Sequence, residues 1–332
     1  MPFVNRTAKL LLLLLLCSGG ICMAQKSKKM EKKNNPLLCD PKTGICELPA
    51  AGTRAGNTAQ HAQNNPVKLI YFTDPICSSC WGIEPQLRRL KLEYGNTIQI
   101  EYHMGGLLPD WSYNSGGISK PSDVATHWDE VSPHYQMPID GDVWLEDPLP
   151  SSYPPSIAFK AAQLQDNDKA VVFMRLLREM VFLKKKNITR WEYMAEAATI
   201  AGLDTNQLKQ DYEGKAKELF QQDLELARKM GVRGFPTIFV TNQQGKVVTV
   251  YGSRPYTDYV SAITSVYPAA IKEHYATTWQ NLFTHYPTLT TREFAELSNI
   301  SIPQAEATLK SLTTQGHLQV LATKNGPLWI KK

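Results

Sequence analysis

The chain has 332 residues, 42% of them apolar and 20% charged, which excludes a disordered polymer and leaves room for one large domain or two smaller ones. Its formal charge of +5 is gathered at the start: Arg6 and Lys9 contribute +2 and residues 25–35 a further +4, so the remainder carries −1. A body with that balance lacks the clustered Lys and Arg that neutralise phosphates, which argues against nucleic acid as a partner.

In chain order, Arg6 and Lys9 precede a leucine run from Leu10 to Leu16 and small residues ending at Cys22-Met23-Ala24. That is the pattern of a signal peptide over residues 1–24, too short for a stable membrane span, and it places the protein in the periplasm or outside the cell. Translation from Met30 would instead keep it in the cytosol. Residues 25–65, rich in Lys, Asn, Gln, Gly and Ala, read as a flexible tether. One island interrupts it, where Cys39 and Cys46 flank the turn-forming Asp40-Pro41 and Gly44 and could close a small disulfide loop. Such a loop is either a structural staple or an accessory redox pair; six intervening residues exceed the spacing of a zinc knuckle.

Val67 to Thr73 reads as a strand, Ser79 to Tyr94 as a helix bent by Pro85, and Thr97 to Met104 as a second strand, together a parallel β-α-β unit. Between strand and helix lies Cys77-Ser78-Ser79-Cys80-Trp81. A cysteine at the first turn of a helix meets the positive end of the helix dipole, which favours its thiolate, so Cys77 is expected to have a lowered pKa and to be the nucleophile. Cys80, one turn on, can attack a mixed disulfide at Cys77 and release the partner. His103, His127 and His134, with Asp110, Asp123, Asp129 and Glu130 near them in sequence, read as solvated surface rather than a metal site. Trp111, Tyr113, Trp128, Tyr135 and Trp144 read as the glue of a long loop.

From about 120 to 230 the pattern is helical: Pro155–Leu164, Asp168–Leu183, Arg190–Ala201 with Thr189 as N-cap, and a longer stretch ending near Met230. Gly231 to Thr237 then leads into the β-branched run Ile238–Thr241, so Pro236 stands at a strand entrance, where a cis bond after Phe235 is expected. Thr237–Thr241 and Val247–Tyr251, joined by Asn242 to Lys246, form a hairpin. Further on, Thr290 with Glu293 and Ser301 with Gln304 read as capping boxes opening two helices, the second ending at Gly316. A hairpin of His317–Ala322 and Leu328–Lys331 completes a winged-helix-like α+β module over 278–332. Its second helix offers a phosphate only Lys310, so the module reads as a packing or protein-binding unit.

The C-x-x-C at a helix start and a distant strand-entrance proline resemble the thioredoxin superfamily. His103-Met104-Gly105-Gly106-Leu107-Leu108-Pro109, Ser152-Tyr153-Pro154-Pro155-Ser156-Ile157-Ala158, Leu177-Arg178-Glu179 and Asn187-Ile188-Thr189 are similar to the DsbA-like branch, and within it to the subgroup holding the adaptor that presents the Spx regulator to the ClpXP protease. The resemblance covers roughly residues 66–265. It implies an α/β thioredoxin fold with a helical insertion, in which Cys77 and Cys80 are catalytic and Phe235, Pro236 and Trp81 border the partner groove. Tyr71 stands six residues before Cys77, where thioredoxins carry a buried acid, so Glu84 or water is expected to move the proton of Cys80. The expected function is an extracytoplasmic thiol–disulfide oxidoreductase acting on protein thiols or disulfides with a separate redox partner and no cofactor. The alternative is a client-presenting adaptor whose thiols sense redox state. An isomerase of the glutathione-dependent DsbA-like type is disfavoured, because those enzymes carry serine where Cys77 stands.

Overall fold

The computed structural model describes residues 39–40, 44–47, 65–112 and 119–332. The signal-peptide reading, Met30, Tyr113 and most of the tether lie outside them.

Strands β1 (Cys39–Asp40) and β2 (Ile45–Glu47) form a short antiparallel hairpin with Cys39 opposite Cys46. Then follow β3 (Val67–Thr73), α1 (Ser78–Gly82), α2 (Glu84–Tyr94) and β4 (Ile98–Met104). β3 and β4 run parallel, Val67 opposite Ile98 through Thr73 opposite Met104, as expected of a β-α-β unit. The single bent helix of the sequence reading is two helices. Ile83 leaves helical geometry between them (φ −96°, ψ 2°), and Pro85 falls in the first turn of α2, where its missing N–H breaks no hydrogen bond.

The insertion contains α3 (Pro121–Tyr135), α4 (Val143–Glu146), α5 (Tyr153–Gln165), α6 (Asn167–Leu183), α7 (Trp191–Ile200), α8 (Thr205–Glu213) and α9 (Lys215–Lys229). Asp166 and Asp204 cap α6 and α8, each carboxylate accepting two backbone N–H groups. The N-cap of α7 is Arg190 rather than Thr189, whose hydroxyl donates to the Asn187 side chain at 2.6 Å. The long stretch ending near Met230 is divided at Gly214 (φ −114°, ψ −110°) into α8 and α9. Trp111, Trp128 and Trp144 meet edge to face, and Trp128 continues the cluster to Phe182.

After α9 come β5 (Gly234–Phe235), β6 (Thr237–Asn242), β7 (Val247–Tyr251) and α10 (Tyr256–Val266). The central sheet has the order β4-β3-β6-β7, with β6 antiparallel to both neighbours. β5 pairs outside it, with β2 of the N-terminal hairpin.

The C-terminal part holds α11 (Trp279–His285), β8 (Thr288–Thr290), α12 (Thr291–Ser298), α13 (Ile302–Thr314), β9 (Leu318–Leu321) and β10 (Leu328–Lys331). Both capping boxes form, at Thr290/Glu293 and Ser301/Gln304. The hairpin gains a strand absent from the sequence reading, β8, which pairs with β10 in the order β8-β10-β9. Leu282, Phe283, Leu289, Phe294, Leu309 and Trp329 form a core of its own. It nevertheless belongs to one compact unit with the thioredoxin-like part. Glu293 explains how: its fully buried carboxylate accepts from both terminal nitrogens of Arg175 (2.7 and 3.1 Å) and pairs with Arg88 at 3.3 Å. Among the described residues no helix is long and apolar enough to cross a membrane.

Candidate active site: paired thiols beneath a seated strand

The end of β3 sets the thiols in place. The Asp74 carboxylate accepts from the N–H of Ile76 (3.1 Å), the N–H of Leu107 (2.8 Å) and the Ser152 hydroxyl (2.8 Å), fixing the turn into α1. Burial pushes this carboxyl up to about 6, against the lowering effect of those donors. Cys77 is the N-cap of α1, and its sulfur accepts the N–H of Cys80 at 3.1 Å. Both thiols are free and fully buried.

Burial reverses the expectation for Cys77. Removed from water, and with the Cys80 thiol beside it, the Cys77 thiol is held well above its ordinary pKa. Burial also opposes ionisation of Cys80. There the Cys77 hydrogen bond, the charge of Arg178 and the Thr73 hydroxyl outweigh it, so Cys80 is lowered and holds the pair's negative charge more readily. Arg178, on α6, donates to Thr73 Oγ1 at 2.7 Å, to the Asp74 carbonyl at 3.3 Å and to Glu84 at 2.5 Å. Glu84 is therefore the counter-ion of Arg178 and no free acid for Cys80. The buried Tyr71 is raised well above its usual pKa by desolvation and then by Cys80, and so remains a neutral phenol.

The bond between Phe235 and Pro236 is cis, as expected, at the end of β6 that pairs with the end of β3 leading to the thiols. Phe235 offers the strand edge only its backbone. Its ring is buried against Gly105, where an added Cβ would lie 1.7 Å from Cζ, so any side chain at 105 would expel it. The backbone of β5 pairs antiparallel with β2, Phe235 opposite Cys46 and Gly234 opposite Glu47. Trp81 does not line the groove. Its indole is fully buried, donates to the Pro138 carbonyl at 3.0 Å, stacks on Phe182 and lies beneath the Arg175 guanidinium.

The hairpin strand β2 lies along the β5 edge instead. Cys46 is disulfide-bonded, and the ladder sets the backbone of Cys39 directly opposite it. Cys46 Sγ lies 3.4 Å from Cys77 Sγ and 3.3 Å from the Ser79 hydroxyl, which is itself 2.5 Å from the Tyr135 hydroxyl. At the hairpin turn, Gly44 (φ +64°) accepts the N–H of Ser253 at 2.8 Å. Surface clefts of about 510 and 330 Å³, one lined by Asp129 and Lys324 and the other by Arg89 and Tyr256, include neither thiol. His103 is 2.7 Å from Asp223, and among the described residues no three His, Cys, Asp or Glu groups converge as a metal site would need.

Sequence reasoning gave no role to Asp74 or Arg178, and placed Tyr135 only among the aromatic glue. Arg178 stands in a stretch the family resemblance singled out, but its approach to Cys80 spans nearly a hundred residues of chain, which periodicity cannot report.

A strand-helix unit with paired thiols at the helix start, a facing cis-proline and a mixed four-stranded sheet defines a DsbA-like member of the thioredoxin superfamily. A family model described as Thioredoxin matches residues 71–261. A crystal structure of a candidate protein disulfide isomerase from Nitrosomonas europaea superposes with a TM-score of 0.51 at 18% identity, covering 61% of this chain and 96% of that one, which speaks for the fold alone. More specifically, the chain is 32% identical to the ClpXP adapter protein SpxH of Halalkalibacterium halodurans, over 90% of this chain and 99% of that protein. The Bacillus subtilis protein of the same name is 28% identical over 80% of this chain and 89% of its own length. The chain thus belongs to the SpxH family.

Proposed function

We propose that this protein holds an extended segment of a protein partner along the Gly234–Phe235 edge and exchanges disulfides with it through Cys77, with Cys80 as the resolving thiol. The observation that carries this reading is the strand already paired to that edge, which brings a sulfur to 3.4 Å from Cys77. A segment added to a sheet edge gains affinity from backbone hydrogen bonds, so the edge accepts partners of differing sequence while fixing the depth of the reacting sulfur. A leader over residues 1–24 would place such an oxidoreductase outside the cytoplasm. Its test is turnover: wild type should reduce or oxidise a disulfide-bearing protein, Cys80→Ser should accumulate mixed disulfides, and Cys77→Ser should do neither. Trapping through Cys80 alone would reverse the assigned roles.

The second reading is an adaptor that presents a client to a protease, with the thiols as redox sensor. Near-full-length relatives named as ClpXP adapters favour it, and among the comparisons it has stronger support than catalysis. On this reading the C-terminal winged-helix-like part would be a protein-binding surface and the chain would start at Met30 in the cytosol. Mass spectrometry of the mature N-terminus separates the two. A chain beginning after Ala24 removes the ClpXP role, and one beginning at Met30 removes the extracytoplasmic role.

A further inference from the structure

The N-terminal hairpin combines features that a staple for a loose tether would not need. Its second strand lies on the edge beside Pro236, its disulfide sulfur touches the nucleophile, and its turn is anchored separately on Ser253. The hairpin therefore occupies the place the partner segment takes in the reading above. Residues 48–64 lie between the hairpin and β3, and a chain of that length can reach at most about 55 Å, so the hairpin can leave its seat without β3 moving.

We infer that the Cys39–Cys46 disulfide is a built-in substrate of Cys77: the hairpin passes its disulfide to the C-x-x-C pair and, while seated, shields Cys77 from other partners. This rests on the thiol-exchange reading and names its first partner. In the exchange, the sulfur of Cys77 attacks Cys46 Sγ. The Cys46–Cys77 bond forms, the Cys39–Cys46 bond breaks, and Cys39 leaves as a thiolate that takes up a proton. Cys80 then attacks Cys77, the Cys77–Cys80 bond forms, and Cys46 leaves as a thiolate. The balance closes within the chain: two thiols and one disulfide stand on each side, two electrons pass from the Cys77/Cys80 pair to the Cys39/Cys46 pair, and no outside oxidant is needed.

The surroundings suit both steps. Cys46 in its disulfide has no S–H, so at 3.3 Å the Ser79 hydroxyl is the donor, and Tyr135 donates in turn to Ser79. That relay points at the sulfur that leaves as thiolate in the second step, where a hydrogen bond to the anion is worth most. The lowered pKa of Cys80 supplies a base for the Cys77 proton as the first bond forms.

Full-length protein carrying Cys80→Ser, digested without reduction and mapped by mass spectrometry, should contain a Cys46–Cys77 disulfide with Cys39 open to alkylation. Gly44→Ala in the same background leaves every participating cysteine in place. A Cβ at 44 would meet Ser253 Cβ at 2.5 Å and its backbone nitrogen at 2.7 Å. Loss of that seat should cut the Cys46–Cys77 yield by about tenfold, the equivalent of about 1.4 kcal/mol of docking, and speed alkylation of Cys77. Equal yields in the two would mean that the tether alone brings the sulfurs together, and would overturn the seated hairpin. An intact Cys39–Cys46 bond in a Cys80→Ser protein whose Cys77 still captures an added disulfide-linked peptide would overturn the inference while leaving thiol exchange standing. Failure of Cys77 to form a mixed disulfide with either would end both.

Discussion

Two segments from opposite ends of the chain dock on the thioredoxin-like body, and they do so by different physics. The N-terminal hairpin lies along an edge through two residue pairs of β5 and one hydrogen bond at Gly44. The C-terminal part is held by buried charge: Glu293 with Arg175 and Arg88, the Arg88 guanidinium on the Thr288 carbonyl at 2.8 Å, and Arg89 on Glu296 at 2.8 Å. Backbone pairing at an open edge is exchanged for water at small net cost, whereas a buried ion pair, once broken, leaves a charge with nothing to solvate it. The first attachment suits an element that comes and goes. The second suits a permanent one.

The largest effect expected from this contrast is at Glu293. Glu293→Ala takes the shared carboxylate from two buried guanidinium groups, leaving Arg175 with Glu179 and Arg88 with the Thr288 carbonyl, and removes half of a capping box, so it should cost about 3 kcal/mol in chemical denaturation. A cost below about 1 kcal/mol would mean the module is docked by its apolar surface instead. Arg175 and Arg88 more than offset burial and hold the Glu293 pKa below the ordinary carboxylate range, so its stabilisation is present above the unfolded carboxylate pKa. It is lost as pH falls through the lower folded value, and acid should release this module first.

Asp74 has the opposite sign. Its folded pKa is raised to about 6, so the stability linked to its neutral form is complete below the ordinary carboxylate value and is lost as pH rises through about 6. The shift corresponds to about 3 kcal/mol at most. Asp74→Asn should flatten urea midpoints between acidic and neutral pH, and an unchanged slope would show that other groups set it.

A smaller effect is expected at Arg178. Arg178→Met removes the cation facing Cys80, so the Cys80 thiol should titrate at higher pH and its alkylation near neutrality should slow severalfold. An unaltered pH profile would assign the lowering to Cys77 and Thr73. Smallest of all, Gly44→Ala should lower global stability by no more than about 1.5 kcal/mol, because it disturbs only the edge attachment. A loss as large as that at Glu293 would erase the distinction between the two docking modes.

Much of the fold was legible because its signals are local. The strands at 67–73, 98–104, 237–242 and 247–251 follow β-branched runs, and the capping boxes at Thr290 and Ser301 are spelled out within four residues. Errors gathered where a local signal had competing outcomes. Pro85 signals a kink within a helix and stands at a helix start, Thr189 is drawn to Asn187 instead of capping, and Gly214 divides a stretch that periodicity runs together. Trp81 sits beside the thiols in sequence, yet its indole turns inward to Pro138.

The sequence by itself determined which atoms can react and where chain direction changes: the two spaced thiols, the proline facing them, the glycine turn between Cys39 and Cys46, and the caps. Such features are set by neighbours a few residues away, through backbone geometry and side-chain reach. Tertiary structure alone decided how readily those thiols ionise, since burial raises Cys77, while the Cys77 hydrogen bond and then an arginine about a hundred positions on lower Cys80 against its burial. It also decided that the sulfur of Cys46 rests on that of Cys77, and that a capping-box glutamate anchors a whole module. Desolvation and long-range charge depend on what the fold brings near, and no window along the chain contains that information.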